Sequence, residues 1–397
     1  MLTPAEADAA ITAAIAPVPQ ELAPLADCAG RILRGPLFAE RDAPPFDRVA
    51  MDGIAFRAGA QARRRFRIAG VQPAGSPALR LASDGDCFEV MTGAILPSGC
   101  DTVVPVEQLR VAAGFAELDA ACKAEPWRHV HRRGADARAG DRLLDAGARL
   151  GPPELAIAAS AGQARLPVSR APRIAVVTTG DELVEPGQPI AGHQVRRSNA
   201  YGLGAALTLA GFPPARDLQL PDREDVLATG LGAALGSHDV LVLSGGVSAG
   251  RFDHVPRVLA SLGVRERFHG IAQRPGRPMW FGTSAPGTAV FALPGNPVSV
   301  LVCLARYVVP ALARLVGAAP AAVPRVALAR SYAMEKALTC FLPVVLGYDH
   351  AGRAMADPRP TDGSGDFIAL AGTDGFVELP PGPATHPAGL VVPFHRW

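Results

Sequence analysis

The chain has 397 residues, of which 49% are hydrophobic and 19% charged, and its formal net charge is +2. This length predicts two to four domains with a sizeable buried core. The nearly balanced charge favours neither a nucleic-acid partner nor a membrane-surface patch. The six cysteines never form a C-x-x-C pair, which argues against a zinc or redox-pair site.

The first 17 residues carry acids where a signal peptide needs bases. The longest charge-free stretch, 278–305, is interrupted by glycines and prolines, so we do not interpret it as a membrane span. A cytoplasmic protein is therefore the expectation.

The first 170 residues combine short helices with a β-rich region. An alanine-rich stretch predicts a helix over 3–16, and residues 42–57 have too many prolines and acids for a helix and predict an ordered loop entering a strand. Short strands with turn signals follow over 57–140. Proline at its start and glycine at its end indicate a helix over 151–162, and 166–172 is interpreted as a linker.

From Arg173 the pattern changes to alternating strands and helices. Strands are expected at 174–178, 216–220, 240–243 and 289–293, with helices at 199–210, from Asp222, at 255–262 and from 297 to about 315. Ser198 or Asn199 would cap the first of these helices. Alternating units of this kind predict a mostly parallel sheet with helices on both faces. After 318 the chain returns to short strands.

These patterns predict a multidomain protein of the α/β plus β class. They indicate a β-rich domain over about 57–140, an α/β region from Arg173 and a second small β domain after about 318.

Ligands of parallel sheets bind outside the carboxyl ends of the strands. The loops expected there are 178–182, 244–253 and 293–297. The loop 244–253 contains three glycines, follows an apolar run and precedes a helical pattern. A strand, a glycine loop and a helix in this order form a geometry that favours anion binding. The loop matches neither the P-loop nor the dinucleotide pattern. A plain tight turn is an equally good interpretation of its glycines.

Four acids are expected on the same rim, namely Asp181, Glu182, Asp222 and Asp253. Carboxylate oxygens suit magnesium that is also held by substrate phosphates. For Asp222 and Asp253 an ordinary helix N-cap is the competing interpretation. Glu182 has no capping role that the pattern can assign.

Seven stretches together resemble one family, the molybdopterin molybdenumtransferases, which comprise the MoeA proteins and the gephyrin E domain. They are PPFDRVAMDG (44–53), MTGAILPSGCDTVV (91–104), RRGADARAGD (132–141), TTGDELVEPGQ (178–188), SGGVSAGRFD (244–253), RPGRP (274–278) and LPGNPVS (293–299). The resemblance implies four domains: a discontinuous linking domain (1–50 and 141–170), a β-rich domain (51–140), an α/β molybdopterin-binding domain (171–318) and a C-terminal β domain (319–397). It also implies an elongated homodimer, whose active site lies between one subunit's α/β domain and the partner's β-rich domain. It also implies a reaction of adenylylated molybdopterin with molybdate that gives molybdenum cofactor and AMP, assisted by Mg²⁺ or another divalent metal. Other proteins of molybdenum cofactor biosynthesis are possible partners.

The resemblance also implies site residues. The implied catalytic residues are Asp52, Thr92, Asp136, Glu182, Asp222 and Asp253, of which the first three come from the partner subunit and the last three hold the metal. The implied substrate-binding residues are Thr179, Gly180, Asp181, Ser198, Asn199, Ser244, Gly245, Gly246, Ser248, Gly250, Arg274, Arg277, Pro294, Gly295, Asn296 and Pro297. Arg274 and Arg277 stand where the family usually has lysines, and either side chain can hold a phosphate. Without the resemblance, Asp52, Thr92 and Asp136 would be interpreted as residues that stabilise turns.

Several positions depart from the family pattern. Arg197 and Arg251 stand where acids are usual, and Arg48-Val49 replaces Asn-Ser. In the last domain, Leu338 and Pro343 lie near positions that often carry arginine. Added arginines would hold anions more tightly and bind a metal less well. Two alternatives to the insertase therefore stay open, a non-catalytic paralogue that binds molybdopterin or a related nucleotide, and a molybdopterin-adenylylating enzyme. The flanking regions 1–170 and 320–397 favour the insertase over the adenylylating enzyme.

Overall fold

Three six-stranded sheets organise the chain. The structure is a computed structural model that describes residues 1–60, 63–247, 254–334, 338–382 and 385–397. We name the sheets by position: the β-rich sheet within 53–118, the central sheet within 174–293, and the C-terminal sheet, whose strands lie between 273 and 396.

The predicted N-terminal helix is confirmed as α1 (Pro4–Ala14). Its first turn is closed by a capping box, in which the Thr3 hydroxyl accepts from the Glu6 N–H and the Glu6 carboxylate accepts from the Thr3 N–H at 2.7 Å. Ala7 and Ile11 are buried in the hydrophobic core that lies on one face of the central sheet. The helix is thus fixed both by its cap and by its packing.

Twelve strands and one helix follow before the central sheet. The strands are β1 (Gln20–Pro24), β2 (Leu37–Phe38), β3 (Arg48–Val49), β4 (Gly53–Phe56), β5 (Arg65–Gln72), β6 (Asp86–Val90), β7 (Thr102–Pro105), β8 (Leu109–Ala112), β9 (Phe115–Leu118), β10 (Val130–His131), β11 (Arg142–Leu144) and β12 (Arg165–Ser169), and the helix is α2 (Pro152–Ser160). The β-rich sheet has the order β7-β4-β6-β5-β9-β8. It bears out the β-rich interpretation of this region.

The predicted linker at 166–172 is wrong over its first four residues. Strand β12 pairs antiparallel with β1, with Leu166 opposite Ala23 and Val168 opposite Glu21. The prolines of this stretch suggested a linker. A two-stranded ribbon tolerates Pro167 because each strand is an edge strand, and the buried Leu166 and Val168 hold the pairing.

The central sheet confirms the mostly parallel prediction. Its order is β16-β13-β17-β21-β20-β18, from β13 (Ile174–Thr179), β16 (Arg216–Leu220), β17 (Val240–Ser244), β18 (Arg265–His269), β20 (Trp280–Thr283) and β21 (Ala289–Leu293). The first four strands in that order are parallel, and β20 and β18 are antiparallel additions that the sequence did not predict. Every residue of β13, β17 and β21 is buried, because cores lie on both faces of the sheet.

Five helices and three short strands complete this region. The helices are α3 (Ser198–Leu209), α4 (Glu224–Ser237), α5 (Val255–Ser261), α6 (Pro297–Cys303) and α7 (Val309–Leu315), and the short strands are β14 (Leu183–Val184), β15 (Val195–Arg196) and β19 (Gln273–Arg274). β19 pairs with a strand of the C-terminal sheet. A segment inside the predicted α/β domain therefore extends the neighbouring sheet, and the predicted domain boundaries stay predictions.

The predicted long helix runs from 297 to 315 through a π-helical turn at Leu304–Val308, between α6 and α7. Pro310 explains the wide turn, because it lacks an N–H and its ring would collide with the carbonyl of Arg306 in a regular helix. Among the described residues, this is the one helix long and apolar enough to cross a membrane by length and composition, with a mean hydropathy of 1.7. In its most apolar window 61% is buried inside the protein, as in the core helix of a globular fold.

The C-terminal sheet closes on itself. It contains β22 (Arg325–Leu328), β24 (Thr339–Tyr348), β25 (Ala354–Pro358), β26 (Gly375–Leu379) and β28 (Val391–Arg396), while β23 (Tyr332–Ala333) and β27 (Thr385–His386) form a separate pair. Because β24 pairs with both β25 and β26, the circuit β24-β25-β22-β28-β26 returns to its start. A small barrel with its own apolar core results.

Candidate functional site

Four parallel strands of the central sheet end at one edge. β13, β16, β17 and β21 end at Thr179, Leu220, Ser244 and Leu293. The loops that follow bring together most of the predicted α/β-domain site residues, and we call the set 178–182, 221–222, 244–247 and 293–297 the strand-end rim. The expectation that these loops share one edge is thus confirmed.

The Asn199 side chain, on α3, connects that helix to two loops of the rim. Its side-chain amide donates to the Ser244 hydroxyl at 2.9 Å and to the Gly295 carbonyl at 2.8 Å. The capping prediction for α3 is wrong, because the helix begins at Ser198 and its N-cap is Arg197, whose side chain makes no capping bond. The amide that would have capped the helix is engaged by the neighbouring loops instead.

Asp222 is also held by the rim and not by a helix. The Thr179 hydroxyl donates to the Asp222 carboxylate, and the Asp222 backbone N–H donates to the Asp181 carboxylate at 3.2 Å. Helix α4 begins at Glu224, with Arg223 as N-cap. Both the helix start predicted at Asp222 and its interpretation as an ordinary cap are wrong.

The glycines of the rim are required by close packing. A Cβ on Gly245 (φ +101°) would lie 2.6 Å from the Thr179 carbonyl oxygen, and one on Gly246 (φ +68°) 2.7 Å from a Val255 methyl carbon. The Gly245 N–H donates to the Leu293 carbonyl at 3.2 Å, so it is not free to bind an anion. The start of this loop is therefore a close-packed turn. Ser248, Gly250, Arg251 and Asp253 lie outside the described residues.

Glu182 lies beside a glycine with no room for a side chain. Gly180 has φ +147°, and a Cβ there would come 2.6 Å from the Glu182 Oε2 atom. Any larger residue at position 180 would displace the Glu182 carboxylate. The position of the Glu182 carboxylate thus depends on a glycine at position 180.

The donor chemistry of the rim suits a divalent metal only in part. Glu182 and Asp222 supply the hard carboxylate oxygens that Mg²⁺ prefers. Within the described part of the chain, however, no group of three or more His, Cys, Asp or Glu side chains is placed to hold a metal. The third predicted ligand, Asp253, falls outside it. Two carboxylates fit a metal that takes its remaining ligands from substrate and water.

A cleft of about 630 Å³ adjoins the rim between the central and C-terminal sheets. One wall carries the predicted residues Arg274, Arg277, Pro294 and Asn296. The Asn296 amide donates to the Ser364 hydroxyl at 2.7 Å and so bridges the two walls.

The part of the cleft lining that lies on β24 and just before it is largely apolar. It comprises Leu338, Cys340, Phe341, Leu342 and Pro343, and burial raises the pKa of the Cys340 thiol to about 11. Two of the positions that depart from the family pattern, Leu338 and Pro343, thus lie in the cleft. Arg274 and Arg277 provide the positive charge of the cleft.

Asp52, Thr92 and Asp136 lie in the β-rich part of the chain. The Asp52 carboxylate accepts from the Thr92 N–H at 2.6 Å and from its hydroxyl at 2.8 Å, and these bonds hold the pKa of Asp52 below its usual value. Asp136 is bonded to His131. Among the described residues, no hydrogen bond or ion pair joins these three to the strand-end rim.

Arg197 does not add free positive charge to the site. Its side chain is 5% exposed, and it donates to Asp217 and Glu185 and, at 2.7 Å, to the Thr178 hydroxyl. Burial opposes its charge, yet the bonds to the two carboxylates hold the pKa of Arg197 above its usual value. The expectation that this departure would strengthen anion binding is wrong, because two acids neutralise the guanidinium. Sequence reasoning missed this role, for which the only signal was an arginine directly before Ser198.

A parallel sheet with polar strand-end loops and an adjoining arginine-bearing cleft is typical of α/β proteins that bind phosphate-bearing ligands. The sequence patterns of known families agree: the MoeA N-terminal region (domains I and II) matches residues 2–162, a probable molybdopterin-binding domain matches 175–314, and the MoeA C-terminal region (domain IV) matches 325–397. The chain belongs to the MoeA family.

Individual relatives support this assignment over the whole length. A protein from Synechocystis named molybdopterin molybdenumtransferase is 41% identical over 93% of each chain, and one of the same name from Bacillus subtilis is 29% identical over 93% of this chain and 87% of its own. A crystal structure of a molybdopterin biosynthesis MoeA protein from Pyrococcus horikoshii superimposes with a TM-score of 0.81 at 29% identity, covering 100% of this chain and 99% of its own.

Proposed function

We propose that this chain is a molybdopterin molybdenumtransferase. It inserts molybdenum from molybdate into adenylylated molybdopterin and releases AMP, in the biosynthesis of the molybdenum cofactor. The observation that carries the proposal is the full-length identity of 41% to a protein of that name. The strand-end rim and the arginine-bearing cleft supply a site for anionic substrates that agrees with it.

The residues have distinct tasks in this reaction. Arg274 and Arg277 bind phosphate or molybdate oxygens from one wall of the cleft. Glu182, Asp222 and Asp253 hold a divalent metal, for which Mg²⁺ is the proposed ion. When bound, such an ion neutralises charge on the pyrophosphate. The Asn199 bonds keep the loops in register so that substrate and acids meet in one geometry.

Release of AMP from adenylylated molybdopterin in the presence of molybdate tests the function directly. We expect turnover by the wild type and a loss of at least about a hundredfold in Glu182→Gln, a typical cost for removing a catalytic electrostatic group. Asp225→Asn, on the exposed first turn of α4, is the matched control and should keep full activity. Binding of the substrate without AMP release would favour the non-catalytic alternative.

The proposal includes a homodimer with a shared site, and a cytoplasmic location. The shared site is supported by the hydrogen bonds of Asp52, Thr92 and Asp136, none of which reaches a rim residue in the part of the chain that the structure describes. Asp52→Ala and Asp253→Ala homodimers should each be inactive. If the two variants are unfolded and refolded together, about half of the dimers are mixed. If each site is built from both subunits, one of the two sites of a mixed dimer has both aspartates and the other has neither.

About a quarter of wild-type activity should therefore return in the refolded mixture. If the two blocks meet within one chain, every site carries a lesion and no activity returns. Mixed dimers that are confirmed by differential tagging but remain inactive would contradict the shared site.

A further inference from the structure

A chain of three side chains leads to Asp136. The His131 Nε2 atom lies 2.9 Å from the Asp136 Oδ1 atom, and the His131 Nδ1 atom lies 3.0 Å from the Arg48 Nη2 atom. The His131 and Asp136 side chains are 33% and 58% exposed. Arg48 therefore contacts the imidazole and not the carboxylate.

The arginine and the carboxylate, on opposite sides of the ring, decide which imidazole nitrogen carries the hydrogen. A guanidinium can only donate hydrogen bonds, so the Nδ1 atom of His131 must accept from Arg48. The hydrogen of the imidazole is then on Nε2, from which it is donated to the Asp136 carboxylate. Contacts on both sides of the ring are satisfied by this single tautomer.

The backbone places all three residues. Arg48 and His131 are directly opposite each other in the β3–β10 pair, so their side chains lie on the same face. Residue 48 is also bridged to Ile95, on the segment that carries Thr92. The Asp136 N–H donates to the Ala43 carbonyl at 2.9 Å, which fixes the turn after β10 against the segment that leads into β3.

We propose that Arg48 and His131 are positioning residues for Asp136. By holding His131 in its Nε2–H tautomer, Arg48 makes the imidazole a fixed donor that orients one carboxylate oxygen towards the shared active site. The interposed ring also keeps the guanidinium from pairing directly with the carboxylate. This inference rests on the proposed function, in which Asp136 takes part in the reaction, and it assigns a role to the departure at position 48.

The tautomer is measured without reference to activity. Nitrogen-15 NMR of protein labelled at histidine should give the His131 ring a protonated Nε2 and an unprotonated Nδ1. In Arg48→Ser the Asp136 carboxylate still accepts from Nε2–H, but the population with hydrogen on Nδ1 should rise measurably because the donor that excluded it is gone. A wild-type ring with its hydrogen on Nδ1 would overturn the proposal.

The kinetic test separates positioning from folding. His131→Leu should lower kcat about tenfold with little change in KM, since it removes a hydrogen bond to a charged group that remains partly solvated. His131→Gln places an amide donor near the position of Nε2 and should stay within about threefold of wild type. His350→Asn, at an exposed turn of the C-terminal sheet, is the control.

Equal kcat values for His131→Leu and wild type would also overturn the proposal, as would a leucine and a glutamine variant that lose activity equally. If the wild type releases no AMP at all, the proposed function fails, whereas the NMR measurement still decides the tautomer.

Discussion

Asp239 anchors the start of the central strand β17, and its charge should be a measurable part of the stability of the central sheet. The carboxylate is 15% exposed and accepts from the Arg173 N–H at 2.8 Å and from the Arg170 and Arg173 guanidiniums at 2.9 and 3.1 Å. It thereby joins the segment before β13 to the start of β17. Burial alone would raise the pKa of Asp239, but the bonds from Arg170 and Arg173 lower it from 3.8 to about 2.

The size of the effect follows from the pKa difference. A depression of nearly two units, at 1.36 kcal/mol per unit, contributes about 2.5 kcal/mol to the free energy of unfolding at pH 7. Because the pKa is lower in the folded state, this contribution is fully present above the unfolded pKa of about 3.8 and is lost as the pH falls towards 2. At pH 3 about half of it remains.

Asp239→Asn should therefore lower the free energy of unfolding by about 2 kcal/mol at pH 7 and by about half as much at pH 3. Urea denaturation followed by the fluorescence of the buried Trp280, on β20, reports on the central sheet. Trp127 and Trp397 are replaced by phenylalanine in all variants, so that Trp280 is the only fluorophore of its type.

Asp225→Asn is the control, since Asp225 and its partner Arg223 are both well exposed and should contribute little. An equal loss for Asp239→Asn at the two pH values would show that the effect is not due to the charge. No loss at pH 7 would refute the reasoning altogether.

Two further predictions concern a buried arginine and a closely packed glycine. Arg306 is 12% exposed and bonds Asp8 of α1 and Glu378 of the C-terminal sheet at 2.8 Å each, so Arg306→Leu should cost about 3 kcal/mol at pH 7. The stability lost in Arg306→Leu should be smaller in acid, because the pKa of Glu378 is lowered in the folded state and its charge is lost as the pH falls. A melting temperature of Arg306→Leu equal to that of the wild type at pH 7 would contradict the prediction. A Cβ on Gly276 (φ +89°) would lie 2.4 Å from the Cys303 sulfur, whereas one on Gly187 (φ +88°) meets nothing within 4 Å. Gly187→Ala should cost about 1 kcal/mol and Gly276→Ala about 3 kcal/mol or more in urea denaturation, and equal losses would disprove the steric argument.

The central sheet was predictable because its information is local. The runs 174–177, 240–243 and 289–293 are apolar at every position, which strands covered on both faces require. The placement of site loops at one edge then follows from the parallel topology alone. Sequence order therefore predicted the strand-end rim before any contact was known.

The tertiary structure decided what individual side chains do. Asn199 and Asp222 are good helix caps by residue type, yet both bond to other strand-end loops, which come near only in the folded chain. Strand β12 needed a partner about 145 residues earlier in the sequence. Strand β20 likewise pairs with the edge that β21 would otherwise leave open, and β18 then pairs with β20, so both form through the sheet and not through local sequence alone.

The departures from the family pattern show the same division. Residue type alone predicted that Arg197 would add charge to the site, but the fold buries it against Asp217 and Glu185. Arg48 meets an imidazole across a strand pair. The sequence thus determined which strands, glycines and acids could form a site for anions. The charge that each arginine contributes was decided by the tertiary structure, because an ion pair depends on distances between residues far apart in the chain.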